Sequence, residues 1–314
     1  MRWRSECPIP LWLEQLRYTD RVLALGSCFA QTIGQRLLDY GQRGICNPFG
    51  AVYNPISMSQ QLQRLLSGKR YVQSDFFEYD GLWRHFELHS SLAEPGLPEA
   101  VSRANQAVKQ ASTAVQQTRW LILTFGSAHV WQLRSSGQVV SNCHRQPQQQ
   151  FRRRMASLME CESALVPVLR QLLERHSQLQ LVVTVSPVRY LRDGLVASQR
   201  SKSRLHELVQ RLELELPDRV TYFPAYELQI DELRDYRFTG RDLCHPTAEA
   251  EDYIWERFID AAADHRAHQF FKRGEALHRL RQHRPQHLHR ELAWREQCAQ
   301  QAQRFRAEFP WGDT

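Results

Sequence analysis

Six residues do most to restrict what this chain can fold into. Trp120-Leu-Ile-Leu-Thr-Phe125 is apolar on both faces and is stopped at once by Gly126. A strand buried on both sides belongs in the middle of a parallel sheet, because a sheet with one wet face alternates apolar and polar residues instead. Other apolar runs at 21–25, 44–46, 179–185 and 219–223 read as its companions. Between them lie stretches with apolar residues at helical spacing, near 29–38, 55–66, 98–117, 164–176, 201–216 and 247–258. Strand alternating with helix predicts an α/β fold, a three-layer α/β/α sandwich with a mostly parallel central sheet. Two hairpins interrupt the alternation: one at 76–89 around Asp80-Gly81, and one from 130–133 to 138–140.

At 314 residues the chain can bury one sizeable core and carry a modest appendage. The expected division is a core domain over 1–263 and a helical, basic, His-rich extension over 264–314. From His265 to Arg306 there are ten Lys or Arg against three Asp or Glu, with six His besides. Leu277, Leu280, Leu288 and Leu292 are its regularly placed apolar residues. Such a tail is suited to RNA or phospholipid, although a solvated basic helix face has the same composition. Seven cysteines, an odd number without a Cys-x-x-Cys pair, argue against a disulfide framework or a structural zinc site. His283 and His287 stand four apart but lack a third ligand. The N-terminus has no apolar core of a signal peptide, and no stretch reaches the length of a membrane span. A cytoplasmic protein is expected.

Three features carry chemistry. Ser27 stands directly after the first strand, at the turn into the first helix, where open α/β sheets place their sites and helix amides can stabilise an oxyanion. The plain alternative is that Ser27 only caps that helix. Asp242-Leu-Cys-His245-Pro precedes the last core helix, with carboxylate and imidazole close enough in sequence to pair on one loop. A serine hydroxyl needs such a base, and the base needs an orienting carboxylate. The chain order, Ser early and Asp-x-x-His late, differs from that of the hydrolases built on Gly-x-Ser-x-Gly, which is absent here.

The run Gly26-Ser-Cys-Phe-Ala30 resembles the signature of the GSCFA family, a bacterial group related to the SGNH/GDSL esterases. Ordered blocks extend the resemblance: Asn47-Pro-Phe-Gly-Ala-Val-Tyr-Asn-Pro55, Thr124-Phe-Gly-Ser-Ala-His-Val-Trp131, Asn142-Cys-His-Arg-Gln-Pro147, Ser186-Pro-Val-Arg-Tyr-Leu-Arg-Asp-Gly194 with Ser201-Lys202, and Asp231-Glu-Leu-Arg-Asp-Tyr-Arg237. Together with Asp242 and His245-Pro246 they cover roughly residues 20–260. The resemblance implies an SGNH/flavodoxin-like sandwich and a Ser27–Asp242–His245 triad without metal or organic cofactor. It also implies an oxyanion hole from the amides of Ser27 and Gly50 with an asparagine side chain. The SGNH pattern Gly-x-Asn-Asp reads Gly126-Ser-Ala-His129 here, without an asparagine, and Asn142, which returns beyond the hairpin, could supply the donor.

Hydrolysis of an oxygen ester, on a small-molecule or carbohydrate substrate, is therefore expected, with acyl transfer to another acceptor as a close variant. A binding module that keeps the fold and holds RNA or another polyanion is the reading from a different class. His89, His144 and Arg192 are further candidates for substrate contact. Arg189 and Lys202 are cations that could hold an anionic leaving group or pair with a neighbour such as Asp193. Cys28 and Cys244 are expected to be packing thiols.

Overall fold

The computed structural model describes residues 4–283, 285 and 291–311. In chain order the elements are β1 (Arg21–Gly26), α1 (Cys28–Asp39), β2 (Arg43–Cys46), α2 (Pro55–Ser67), β3 (Phe77–Tyr79), β4 (Leu82–Arg84), α3 (Leu97–Gln116) and β5 (Trp120–Phe125). They continue with β6 (His129–Leu133), β7 (Val139–Val140), β8 (Phe151–Met155), α4 (Leu158–Arg175), β9 (Gln180–Val185), α5 (Leu195–Glu215) and β10 (Val220–Tyr222). A single turn α6 (Ala225–Glu227), then α7 (Ala248–Ala262), α8 (His265–Gln282) and α9 (Glu291–Glu308) complete the order.

Five strands form the central sheet in the order β10-β9-β5-β1-β2, and every pairing is parallel. All six residues of central β5 are buried. Period-two alternation sends Leu121, Leu123 and Phe125 to one face, against residues of α2 to α5 such as Leu62, Val108, Leu169 and Leu208. Trp120 and Ile122 go to the other face, against Phe29, Ile33 and Leu37 of α1 and Ile254 and Phe258 of α7. The layers are thus helix, sheet, helix. Chain order reverses direction across the sheet between β1 and β5, which opens a crevice at the carboxyl ends of those strands.

The first hairpin is short, β3 against β4, and Asp80 and Gly81 both take positive φ as its tight turn demands. The second is larger than the sequence suggests. β8 pairs antiparallel with β6 and makes a three-stranded sheet, β7-β6-β8. Its sequence, Phe-Arg-Arg-Arg-Met, hides the strand, because the three arginines read as a solvated loop and only Phe151 is fully buried. Helix α4 also starts earlier than its apolar spacing indicates. Ser157 and Glu160 form a reciprocal capping box there, and Pro167 inside the helix obscures the pattern.

Beyond α7 the chain is helical, as expected, and its helices pack on the core. Ala267, Phe270 and Phe271 of α8 are buried in the cluster that contains α1 and α7, joined by Phe305 and Phe309. Each buried phenylalanine contributes roughly 1.5–3 kcal/mol. Gly274 lies so close to the Tyr40 carbonyl that a Cβ would sit 1.9 Å from its oxygen. Aromatic residues, with Leu277 beside them, therefore fasten the tail. Leu277 is buried, Leu280 is half-buried and Leu292 is exposed, whereas Leu288 lies outside the described residues. No helix among the described residues is long and apolar enough to cross a membrane.

Candidate functional site

Ser27 occupies the position between the end of β1 and the start of α1. Gly26 permits this turn. A side chain there would place a Cβ 2.3 Å from the Thr124 carbonyl oxygen of neighbouring β5, and its φ of +145° is one that L side chains rarely adopt. The Ser27 amide donates to the Thr124 oxygen at 3.2 Å, which ties the turn to the middle of the sheet and corrects its expected place in an oxyanion hole, since the donor is already engaged. Its hydroxyl does not cap the helix, and the first turn of α1 carries no acidic residue. The oxygen is sealed from solvent and has no hydrogen-bond partner. A buried hydroxyl without a partner costs roughly 1–3 kcal/mol, so its retention here is a cost to the fold.

Neighbouring groups converge over Gly126, at the end of β5. A Cβ on Gly126 would lie 3.1 Å from Ser27 Cβ, 3.1 Å from the Tyr190 hydroxyl and 3.2 Å from the Tyr53 ring. The two tyrosines meet edge to face at 5.9 Å, and Tyr53 Oη is 3.4 Å from Cys28 Sγ. Burial pushes both phenols well above their ordinary range, so they stay neutral. The turn itself is held from beneath by α5. Lys202 Nζ donates to the carbonyls of Gly126 at 2.7 Å and Ser186 at 2.6 Å, and Ser201 Oγ accepts from the Ala128 amide at 2.7 Å. Burial pushes the Lys202 ammonium down to about 7. Lys202 is therefore neither a surface charge nor a partner of Asp193, which pairs with Arg153.

The Asp242–His245 pair forms as its spacing anticipates. Asp242 Oδ2 lies 2.6 Å from His245 Nδ1, while its Oδ1 accepts from the amides of Cys244 and His245 at 3.0 and 3.1 Å. Those amide bonds, the Cys244 one foremost, and then the imidazole hold the Asp242 carboxyl well below the usual range. Leu243 between them takes φ of +59°, which curls the loop tightly enough for both amides to reach one oxygen. The Arg189 amide donates to the Cys244 carbonyl at 3.1 Å and ties this loop to the segment beyond β9. Thr247 then caps α7, as its position predicts. Both side chains of the pair are about half exposed. No hydrogen bond joins His245 to Ser27, whose hydroxyl is partnerless.

Other expected positions separate into those that face a cavity and those that do not. A cavity of about 440 Å³ is lined by His89, Asn142 and Arg192, together with Tyr53, Ser127 and Tyr190 next to Gly126. Asn142 donates through Nδ2 to Ser90 Oγ at 3.2 Å and accepts the His144 amide at 2.8 Å. His89 accepts from the Ser91 amide at 3.2 Å, so it caps a short turn as well as lining the cavity. His144 is corrected from substrate contact to support. It is 2% exposed, with Nε2 on the His85 carbonyl at 2.9 Å and Nδ1 3.3 Å from Ser90 Oγ. Desolvation pushes it down to about 4, so it is neutral at ordinary pH. The Gly50 amide is corrected likewise. It donates to the Asn47 carbonyl at 2.8 Å, and Gly50 packs directly on His89, which leaves no room for a side chain. Among the described residues no group of His, Cys, Asp and Glu is arranged to hold a metal ion. His287 lies outside them.

Tyr53, Tyr190, Trp131 and Arg153 shape this region without having been singled out as site residues. All but Arg153 stand in the blocks quoted above, and only the sheet brings those blocks to one edge. The chain belongs to the GSCFA family, whose family model matches residues 21–258. The match spans the sheet and the Asp242–His245 loop and stops before α8. No curated protein matches the chain.

Proposed function

We propose that this protein is a serine-dependent esterase or acyl hydrolase of the SGNH type that cleaves an oxygen ester, with Ser27 as nucleophile. One observation carries the reading. A serine hydroxyl stands at the crevice between β1 and β5, beside an uncapped helix terminus, and is kept buried without a hydrogen bond although it costs stability. The Asp242–His245 pair supports it, because a carboxylate on Nδ1 fixes the tautomer that leaves Nε2 as the base.

In this reading Ser27 Oγ attacks the acyl carbon and its proton passes to His245 Nε2. The bond from acyl carbon to alkoxy oxygen then breaks, and the alcohol leaves with the proton from His245. Water, or another acceptor in an acyl-transfer variant, repeats the sequence on the acyl-enzyme. The amides of the first turn of α1 and the Asn142 side chain serve the oxyanion. With the Gly50 amide already engaged, Asn142 has more to supply. Entry of substrate has to part Tyr53 from Tyr190 and bring the Asp242–His245 loop toward Ser27. The seven free thiols accord with a reducing, cytoplasmic setting.

A fluorophosphonate probe tests the assignment. Phosphonylation of Ser27 in the native protein, located by mass spectrometry and nearly lost in His245→Ala, is the expected result. An adduct only at another residue, or undiminished labelling in His245→Ala, refutes the triad.

A further inference from the structure

The cavity walled by Tyr53 and Tyr190, which both approach Gly126 beside Ser27, carries charge that ester cleavage alone does not require. Its wall includes Arg145, Arg153, Arg192 and His129, and no aspartate or glutamate. Arg153 is neutralised from behind by Asp193, which also lies 3.7 Å from His129 Nδ1. Arg145 and Arg192 have no such partner. Neither guanidinium makes a hydrogen bond or ion pair among the described residues.

Both are exposed residues at the cavity, and two features place them there. Arg153 and Arg192 both stand over the Trp131 indole, each 5.2 Å from a ring centroid. A cation on an aromatic face is held in place while its N–H fork stays free for an acceptor. Arg145 and its neighbour His144 take φ of +59° and +51°, a left-handed conformation that is unusual for non-glycine residues and costs each of order 1–3 kcal/mol. The strain is maintained by His144, whose ring is bonded at both nitrogens and whose amide donates to Asn142. An arginine presented on strained backbone and a second one stacked on tryptophan, both unpaired at one cavity, form a site for an anion.

We propose that this cavity binds a carboxylate or phosphate group on the substrate, gripped by Arg145 and Arg192 beside Trp131, so that the ester cleaved is an anionic one. The proposal rests on the Ser27 reading for its link to catalysis. The anion site itself stands on Arg145, Arg192 and Trp131. Planar guanidinium forks match both oxyanions, and the carboxylate-free wall rejects cations. Tyr53 and Tyr190 lie between the cavity and Gly126, so a small anionic group held by the arginines directs the remainder of the molecule to Ser27.

Calorimetric titration of the full chain with 4-hydroxybenzoate, phenyl phosphate and the neutral, non-ester 4-hydroxybenzamide tests this without any turnover. Both anions are expected to bind at least about tenfold tighter than the neutral amide, the tighter one naming the headgroup. Arg145→Gln with Arg192→Gln should erase that margin, and Arg192→Lys should restore only part of it, since a lysine keeps the charge and loses the fork. Retained anion binding in Ser27→Ala keeps this result separate from the nucleophile assignment. If Ser27 resists the fluorophosphonate while the anions still bind through the arginines, the anion site stands and the esterase reading fails. Equal affinity for neutral and anionic ligands, or anion binding unchanged in the double variant with its thermal melt intact, overturns the proposal.

Discussion

Ser27 and the Asp242–His245 pair belong to one candidate triad and live in opposite surroundings. Ser27 is buried on the central strands, with its amide on Thr124 and its hydroxyl unpaired. Asp242 and His245 are half exposed on a loop and satisfy one another locally, within four residues of sequence. The pair is thus assembled by short-range geometry, whereas the serine is placed by the whole sheet. A loop can move at little cost, and a buried residue at a strand-to-helix turn tied to the central sheet cannot. On the proposed reading, closure of the triad therefore falls to the loop and to the tyrosines over Gly126.

The sharpest way to break this contrast is at the serine. Ser27→Ala should lower ester turnover on the order of 10^4-fold or more and abolish fluorophosphonate labelling. The same variant should melt at a temperature roughly 2 °C higher, because it removes a buried hydroxyl that has no partner. Loss of stability instead would mean that the hydroxyl makes a bond the fold depends on. On the loop, His245→Ala should slow labelling about 100- to 10,000-fold, and Asp242→Asn at least about 100-fold. Neither should shift the melt by much, since both side chains are half exposed; a large shift would make the loop structural.

Asn142→Ala is expected to lose about 100-fold in kcat with little change in KM, the mark of a donor to the oxyanion. A change confined to KM would assign Asn142 to holding the strained Arg145 segment. Gly126→Ala should cost about tenfold in labelling rate. Its methyl would arrive 3.1 Å from Ser27 Cβ and crowd both tyrosines. An unaltered rate would show that this space is not on the substrate's way to Ser27.

A further comparison concerns the floor of the site. Lys202 titrates near 7 in the folded protein and near 10.5 when unfolded, so between these values the unfolded chain holds more protons. Its share of stability is complete above the unfolded pKa and is lost as pH falls toward 7. Urea melts of the wild type minus those of Lys202→Met should differ by a slope of up to about 1.4 kcal/mol per pH unit in that window. A flat difference would show that the two carbonyl acceptors keep the ammonium fully charged.

Much of this architecture was legible from residue order. The both-faces-apolar run at β5, the Asp80-Gly81 turn and the Thr247 cap each rest on interactions between near neighbours, and each is where the pattern puts it. β8 was not legible, because a strand with one buried residue is defined by its pairing to β6 and not by its own composition. The packing of the helical tail was not legible for a related reason. Phe270 and Phe305 are 35 residues apart, and their shared cluster with Tyr18 and Phe309 exists only after α8 has docked.

The sequence by itself determined the α/β alternation, the family, the serine at the first turn and the Asp242–His245 pairing. All of these depend on local spacing or on ordered motifs. Tertiary structure alone decided that Ser27 is sealed, that the Gly50 amide is taken by Asn47, that His144 points inward and that Lys202 lies beneath Gly126. It also decided that Arg145 and Arg192 face one cavity without a carboxylate. Burial and hydrogen-bond partnership are properties of surroundings drawn from distant parts of the chain. A side chain's chemical capacity is written in its residue type, but whether that capacity is free or already engaged is settled only when the strands and helices pack.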